Sequence, residues 1–202
     1  GAALKEVKQY DAAVASCKQA IFLQPNLAAA YSNLGNVLLK LKQYQNALKH
    51  YEHAIKLNPN YVEAHFNRGA ALTLLNEFNL ALESYQQVIK LDSNNAKANF
   101  NLGNIFIALN QPEIALHYFN LGLKINPNIA YEVDYGYGLR LYAKLLLCNW
   151  NDIENEFTLV LEKLNSNAIQ KIILPLELLS LPSTALQQKK CAESYINDDF
   201  FA

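Results

Sequence analysis

Asn33-Leu34-Gly35-Asn36 returns as Asn67-Arg68-Gly69-Ala70 and again as Asn101-Leu102-Gly103-Asn104, each time after 34 residues. A constant period of this length marks a chain built from one repeated supersecondary unit. Such a unit cannot bury its apolar face alone and does so against its neighbours. Downstream of each glycine stand an alanine and then an aromatic ring: Ala47 and Tyr51, Ala81 and Tyr85, Ala115 and Phe119. Prolines at 25, 59 and 127 close three of the units, and Ser93 stands where the remaining one would be.

Within residues 28–61 the apolar spacing predicts two helices. The first runs from Ala28 to about Leu41, with Tyr31, Leu34, Gly35 and Leu38 on one stripe. The second runs from Tyr44 to about Leu57, with Ala47, Tyr51 and Ala54 inward, and is stopped by Pro59. Residues 62–95 and 96–129 repeat the plan, and residues 1–27 supply the tail of an earlier unit, with Tyr10, Ala13, Cys17 and Ala20. The small residues are expected where two helices cross closely. The rings of Tyr51, Tyr85 and Phe119 are expected to fill the space between one pair and the next. Arg68, in the place of Leu34 and Leu102, is expected to pack only its aliphatic stem.

This pattern over residues 1–129 resembles the tetratricopeptide repeat. The resemblance implies an all-α, right-handed superhelical solenoid of antiparallel helix pairs with a concave groove. His65 and Asn99 depart from it at the slot of Tyr31.

Beyond Ile129 the period fails, and residues 130–202 read as a helical capping or linker segment. A helix is expected over 131–147, a turn and helix start at Cys148-Asn149-Trp150-Asn151-Asp152, and a second helix to about Leu164. A kinked segment around Pro175 and a last helix from Thr184 to about Asn197 follow. The run Leu145–Asp152, with Leu174-Pro175-Leu176-Glu177-Leu178-Leu179-Ser180-Leu181-Pro182 and a closing helix, is similar to a segment of bacterial O-linked N-acetylglucosamine transferase-like glycosyltransferases. There it joins the repeats to the catalytic region. Asn149 stands for that family's aspartate and Leu176 for its phenylalanine.

Bulk composition narrows the functional classes. The chain has 202 residues, 51% hydrophobic and 17% charged, enough apolar content for a folded core. A net charge of -1 argues against broad nucleic-acid binding. Cys17, Cys148 and Cys191 are odd in number and form no CxxC pair, so neither a disulfide framework nor a zinc ribbon fits. Reduced thiols point to a cytoplasmic-type compartment. No signal-peptide pattern is seen and no apolar run reaches the roughly 18 residues of a membrane span, so no membrane partner is expected. The chain has no methionine and opens in mid-repeat, which leads us to expect a piece of a longer protein.

No catalytic, metal or cofactor site is expected. His50 and His53 lack a third ligand and the His-Glu-x-x-His spacing. Cys148 has no His/Asp companions and, following a leucine run, reads as a buried, inert thiol. The candidate site is polar and repeats with the period. One residue before each core position, Asn33, Asn67 and Asn101 turn about 100° away from the packed side. Asn36, Lys40 and Asn104 share that stripe. An amide both donates and accepts, so a ladder of them can hold an extended peptide by its backbone. The glycosyltransferase resemblance implies the same use, since that family carries an asparagine ladder on the inner face of its repeats. Three functions follow. One is the acceptor-recognition arm of a protein O-glycosyltransferase whose catalytic domain lies elsewhere, a second a stand-alone scaffold for a protein partner, and a third a homo-oligomerisation segment.

Overall fold

In the computed structural model, residues 2–129 and 136–158 are described, without the side chains of residues 2–8, 136 and 137. The expected helices at Leu159–Leu164, around Pro175 and beyond Thr184 lie outside them. The described residues are all-α. Helix α1 spans Ala2–Leu23, followed by the pairs α2 (Ala28–Lys40) with α3 (Tyr44–Leu57), α4 (Val62–Leu74) with α5 (Phe78–Leu91), and α6 (Ala96–Ala108) with α7 (Pro112–Ile125). Helix α8, Gly136–Leu146, comes last, and residues 153–158 form one further helical stretch. Backbone contacts group into two compact units, residues 1–94 and 95–202.

Each pair is punctuated by the same backbone devices. The first helix ends in a left-handed residue, Lys42 (φ 58°), Asn76 (φ 60°) or Asn110 (φ 56°). Around it the amides reach back in a Schellman pattern. Gln43 N bonds Leu38 O at 2.9 Å and Lys42 N bonds Leu39 O at 2.9 Å, and Glu77 to Leu72 and Gln111 to Phe106 repeat the longer bond. The second helix ends in an Asx turn, in which Asn58 Oδ1 accepts from Asn60 N at 3.2 Å, Asp92 Oδ1 from Asn94 N at 3.2 Å, and Asn126 Oδ1 from Asn128 N at 2.9 Å. The Asp92 turn explains why the proline missing at Ser93 costs the fold nothing visible. The side chain, not the pyrrolidine ring, shapes that corner.

The core of each pair centres on a ring lying against a glycine. A methyl added at Gly35 would fall 2.5 Å from Tyr51 Cε1, one at Gly69 2.9 Å from Tyr85 Cε1, and one at Gly103 2.5 Å from Phe119 Cε1. The glycines are therefore needed for close approach within a pair. Each ring thus presses on the first helix of its own pair, and Phe119 also shares a core with Ile129 and Ala143 beyond its pair. Ala47, Ala81 and Ala115 are fully buried.

Two departures from the repeat pattern resolve in contacts. The Arg68 guanidinium donates to Ser84 Oγ at 2.7 Å, so the arginine uses its charged head as well as its stem. Ser84 is buried and itself bonds Leu80 O at 2.9 Å, providing a small polar partner where the neighbouring pairs carry His50 or Tyr118. The slot of Tyr31, His65 and Asn99 is a tie to the preceding loop. Tyr31 Oη donates to Pro25 O at 3.1 Å, His65 Nε2 to Pro59 O at 2.8 Å, and Asn99 Nδ2 to Asn95 O at 3.0 Å. A carbonyl only accepts, so His65 carries its proton on Nε2.

Helix α1 departs from the half-repeat reading. It runs unbroken through Lys8, the position equivalent to the left-handed Lys42. Its inner residues Ala13, Cys17 and Ala20 are half-buried, whereas Ala47, Tyr51 and Ala54 are fully buried.

In the second unit, α8 shares a core with the third pair. Ala143 packs with Ala96, Phe100, Ala115, Phe119 and Ile129. Lys144, 6% exposed, is neutralised by Glu156 and also donates to Asn151 O at 2.8 Å, while Arg140 meets Glu156 at 2.5 Å. Cys148 (φ 50°) closes α8 with the Schellman bonds seen above, Asn149 N to Lys144 O at 2.9 Å and Cys148 N to Leu145 O at 3.1 Å. Its thiol is exposed, which corrects the buried reading, and Trp150 is 63% exposed.

Candidate functional site

The polar stripe of the first helices is not uniform. Helices α2 and α4 lie side by side, and Asn36 joins them. Its Oδ1 accepts twice, from Tyr51 Oη at 2.8 Å and from Asn67 Nδ2 at 2.8 Å. Its Nδ2 donates to Glu63 Oε1 at 3.4 Å, and Tyr61 Oη donates to Glu63 Oε2 at 3.2 Å. The amide orientation of Asn36 is thereby fixed, because the Glu63 carboxylate only accepts and must face the amide nitrogen.

Asn36 is thus an internal brace, with both ends of its amide engaged. Asn67, half-buried, gives one N–H to that brace and keeps its carbonyl oxygen and second N–H for other partners. Asn33 and Lys40 are exposed on α2. Ala70, which corresponds to Asn36 in the second pair, has no amide with which to repeat the bridge. In the second unit Asn101 and Asn104 are half-buried on α6. Asn104 Oδ1 is enclosed and has no hydrogen-bond partner among the described residues. The reason is readable from the repeat. The hydroxyl that serves Asn36 comes from Tyr51, and Phe119 has none.

Electrostatics favour uncharged donors around Glu63. Burial, then the Glu63 charge, pushes the Tyr51 phenol far above its ordinary value. Burial and Glu63 likewise raise Tyr61. Both phenols stay protonated and remain donors at neutral pH. Glu63 and the two tyrosines were missing from the sequence-derived site. Glu63 shares the stripe of Asn67 at helical spacing, and that was the available signal.

Elsewhere, His53 stacks on Tyr31 with ring centroids 4.1 Å apart, and His50 lies 6.3 Å from the same ring. Desolvation lowers the His50 pKa, helped by His53 and Lys18. Among the described residues no group of three His, Cys, Asp or Glu side chains could hold a metal, and no helix is long and apolar enough to cross a membrane.

Comparison with known families decides the assignment. A TPR-repeat profile matches residues 1–42, 35–75 and 71–110, and a tetratricopeptide-repeat profile matches residues 96–129. The chain is a tetratricopeptide-repeat protein. No curated protein matches it. Among solved structures, a crystal structure of MamA is similar at a TM-score of 0.69 and 20% identity, covering 81% of this chain and 94% of that one. MamA 41-end from Desulfovibrio magneticus RS-1 is similar at 0.68 and 21%, covering 79% and 88%. YrrB, described as a TPR protein with an unusual peptide-binding site, is similar at 0.64 and 17%, covering 91% and 92%. At these identities the likeness establishes the fold. Tetratricopeptide repeats are protein-interaction modules.

Proposed function

We propose that this tetratricopeptide-repeat protein binds an extended polypeptide segment along the polar stripe of its first helices. The observation that carries the reading is Asn67, which is oriented by Asn36 and Tyr51 and still has a free acceptor and donor. A peptide backbone offers the complementary N–H and C=O groups, and each such neutral bond contributes about 1 kcal/mol net. Asn33 extends the ladder within the first unit, with Lys40 beside it, and Asn101 and Asn104 hold the same stripe positions in the second unit. The peptide-binding site named for YrrB supports the same use of the fold.

The finer reading is that the segment bound is the acceptor of a protein O-glycosyltransferase, with catalysis elsewhere in the protein and the whole in the cytoplasm. It rests on the Leu145–Asp152 run and its continuation, most of which lies outside the described residues. Within them, Cys148 and Asn149 close a helix, a role that needs no enzyme. A stand-alone scaffold is supported equally by the stripe. The full reading frame separates the two: an α/β region of several hundred residues after Ala202 supports the enzyme arm, and a stop near Ala202 supports the scaffold.

The binding reading is tested by Asn33→Ala combined with Asn67→Ala and Asn101→Ala. Peptides recovered from a random dodecamer phage library are titrated by fluorescence anisotropy against both proteins. Affinity is expected to fall at least tenfold while the circular dichroism spectrum is unchanged. Equal affinity refutes the ladder.

A further inference from the structure

Around Glu63 the hydrogen bonds all run one way. Tyr51 and Asn67 donate into Asn36, and Asn36 and Tyr61 donate into Glu63. Four donors are consumed inside the cluster, and what it presents outward is dominated by acceptors: the exposed Glu63 carboxylate and the carbonyl oxygen of Asn67, with one remaining Asn67 N–H beside them. The carboxylate sits in the first turn of α4, where the helix dipole favours an anion, so it is held as well as charged. Among the described residues no lysine or arginine pairs with it, in contrast to Glu52 with Arg68 and Glu156 with Arg140 and Lys144. The neighbouring hydroxyls cannot supply positive charge.

Resting on the peptide-binding reading above, we propose that Glu63 and Asn67, braced by Asn36, Tyr51 and Tyr61, form a subsite for a basic side chain of the bound polypeptide. A lysine ammonium has three donors and an arginine guanidinium five, and neither accepts. A subsite of net negative charge, rich in acceptors, complements them and disfavours an acidic residue, whose carboxylate would face Glu63 with no positive charge to offset the repulsion. Charge assistance sets the gain, and solvent exposure limits it. The partner is therefore a basic segment, with a lysine or arginine at one fixed position along its backbone.

The test uses the same dodecamer library. Peptides recovered on the native protein are expected to share a lysine or arginine at one position. Glu63→Gln, which keeps an acceptor oxygen for Asn36, is expected to bind them about three- to tenfold more weakly and with less dependence on sodium chloride. Glu63→Lys is expected to prefer the same peptides with that basic residue changed to glutamate. Circular dichroism and thermal midpoints confirm that both variants fold. If the recovered peptides share no basic position, or Glu63→Gln binds them equally well, this inference fails while peptide binding itself stands. If no peptide is recovered, or the asparagine triple variant binds like the native protein, the groove reading fails and this subsite with it.

Discussion

Phe119→Tyr is expected to stabilise this protein, against the usual direction of core substitutions. The comparison is internal. In the first pair the ring of Tyr51 lies against Gly35, with Cε1 at 2.5 Å and Cζ at 2.9 Å from the position of an added methyl. In the third pair Phe119 lies against Gly103 with Cε1 at 2.5 Å and Cζ at 2.9 Å. The rings are placed alike, so a hydroxyl on Phe119 Cζ arrives beside Asn104 as the Tyr51 hydroxyl arrives 2.8 Å from Asn36 Oδ1. Asn104 Oδ1 is enclosed without a partner among the described residues. A buried polar atom left unpaired costs about 1–3 kcal/mol, and a made bond returns about 1 kcal/mol net. Against this stand the burial of a new polar group and its fit, so a gain of about 1 kcal/mol is the working value. In a chain of this size that raises the melting midpoint by roughly 2–4 °C. Urea unfolding followed by circular dichroism measures it, with Tyr51→Phe as the reciprocal variant, expected to lose about 0.5–1.5 kcal/mol. A destabilised or unchanged Phe119→Tyr refutes the equivalence of the two sites.

Gly35→Ala adds a methyl inside the Tyr51 ring's contact distance. Overpacking of about 1–3 kcal/mol is expected to exceed the helix-propensity gain of at most ~1 kcal/mol, giving a net loss in urea unfolding. Lys42→Gly relieves a left-handed residue at φ 58° and is expected to stabilise by up to about 1 kcal/mol, measured in the same way. For His50, whose folded-state pKa is lowered, the unfolded chain binds the proton more readily. The stability it contributes is present above about pH 6.5 and is lost as pH falls below that value. Melting midpoints measured from pH 7.5 down to 5.5 should therefore fall less steeply in His50→Gln than in the native protein. An identical slope removes His50 from the pH response.

The fold was legible because its signal is redundant. Gly35, Gly69 and Gly103, their alanines and their rings state the same packing three times, so Arg68 or Ser93 could depart without hiding the period. Helix ends were equally readable, and the second helices begin and end where the spacing placed them, at Tyr44 and Leu57 in the first. What the period could not reveal is which neighbour answers a departure. By spacing Arg68 is a leucine site carrying a charge, and its answer is Ser84 on the facing helix, which accepts its hydrogen bond at 2.7 Å. By spacing His65 is a departure from the slot of Tyr31, and its bond to Pro59 O makes the slot a tie to the loop. Both answers lie across a helix pair or a turn, where single-residue spacing has no reach.

The candidate site illustrates the same limit with a functional consequence. By spacing alone, Asn33, Asn36 and Asn67 are alike, three amides on one polar stripe. Their roles separate only through the partners: Tyr51 and Glu63 saturate Asn36, and Asn36 in turn aims Asn67. A ladder whose rungs were all free would hold any backbone in any register. A rung held by a brace that is itself fixed between a buried phenol and a carboxylate offers its remaining groups in one orientation only, and beside a net negative charge. Repetition therefore builds the surface, and the departures from repetition, Ala70 for Asn36 and Phe119 for Tyr51, give that surface a distinguishable first pair. Recognition of a particular sequence can begin there. A test of this asymmetry is Asn36→Ala, which removes no group that faces a ligand. It is expected to weaken peptide binding, by releasing Asn67 and Glu63 from their fixed orientations, while Ala70→Asn leaves binding through the first pair unchanged. If Asn36→Ala binds recovered peptides as tightly as the native protein, orientation by the brace contributes nothing and the asparagines act independently.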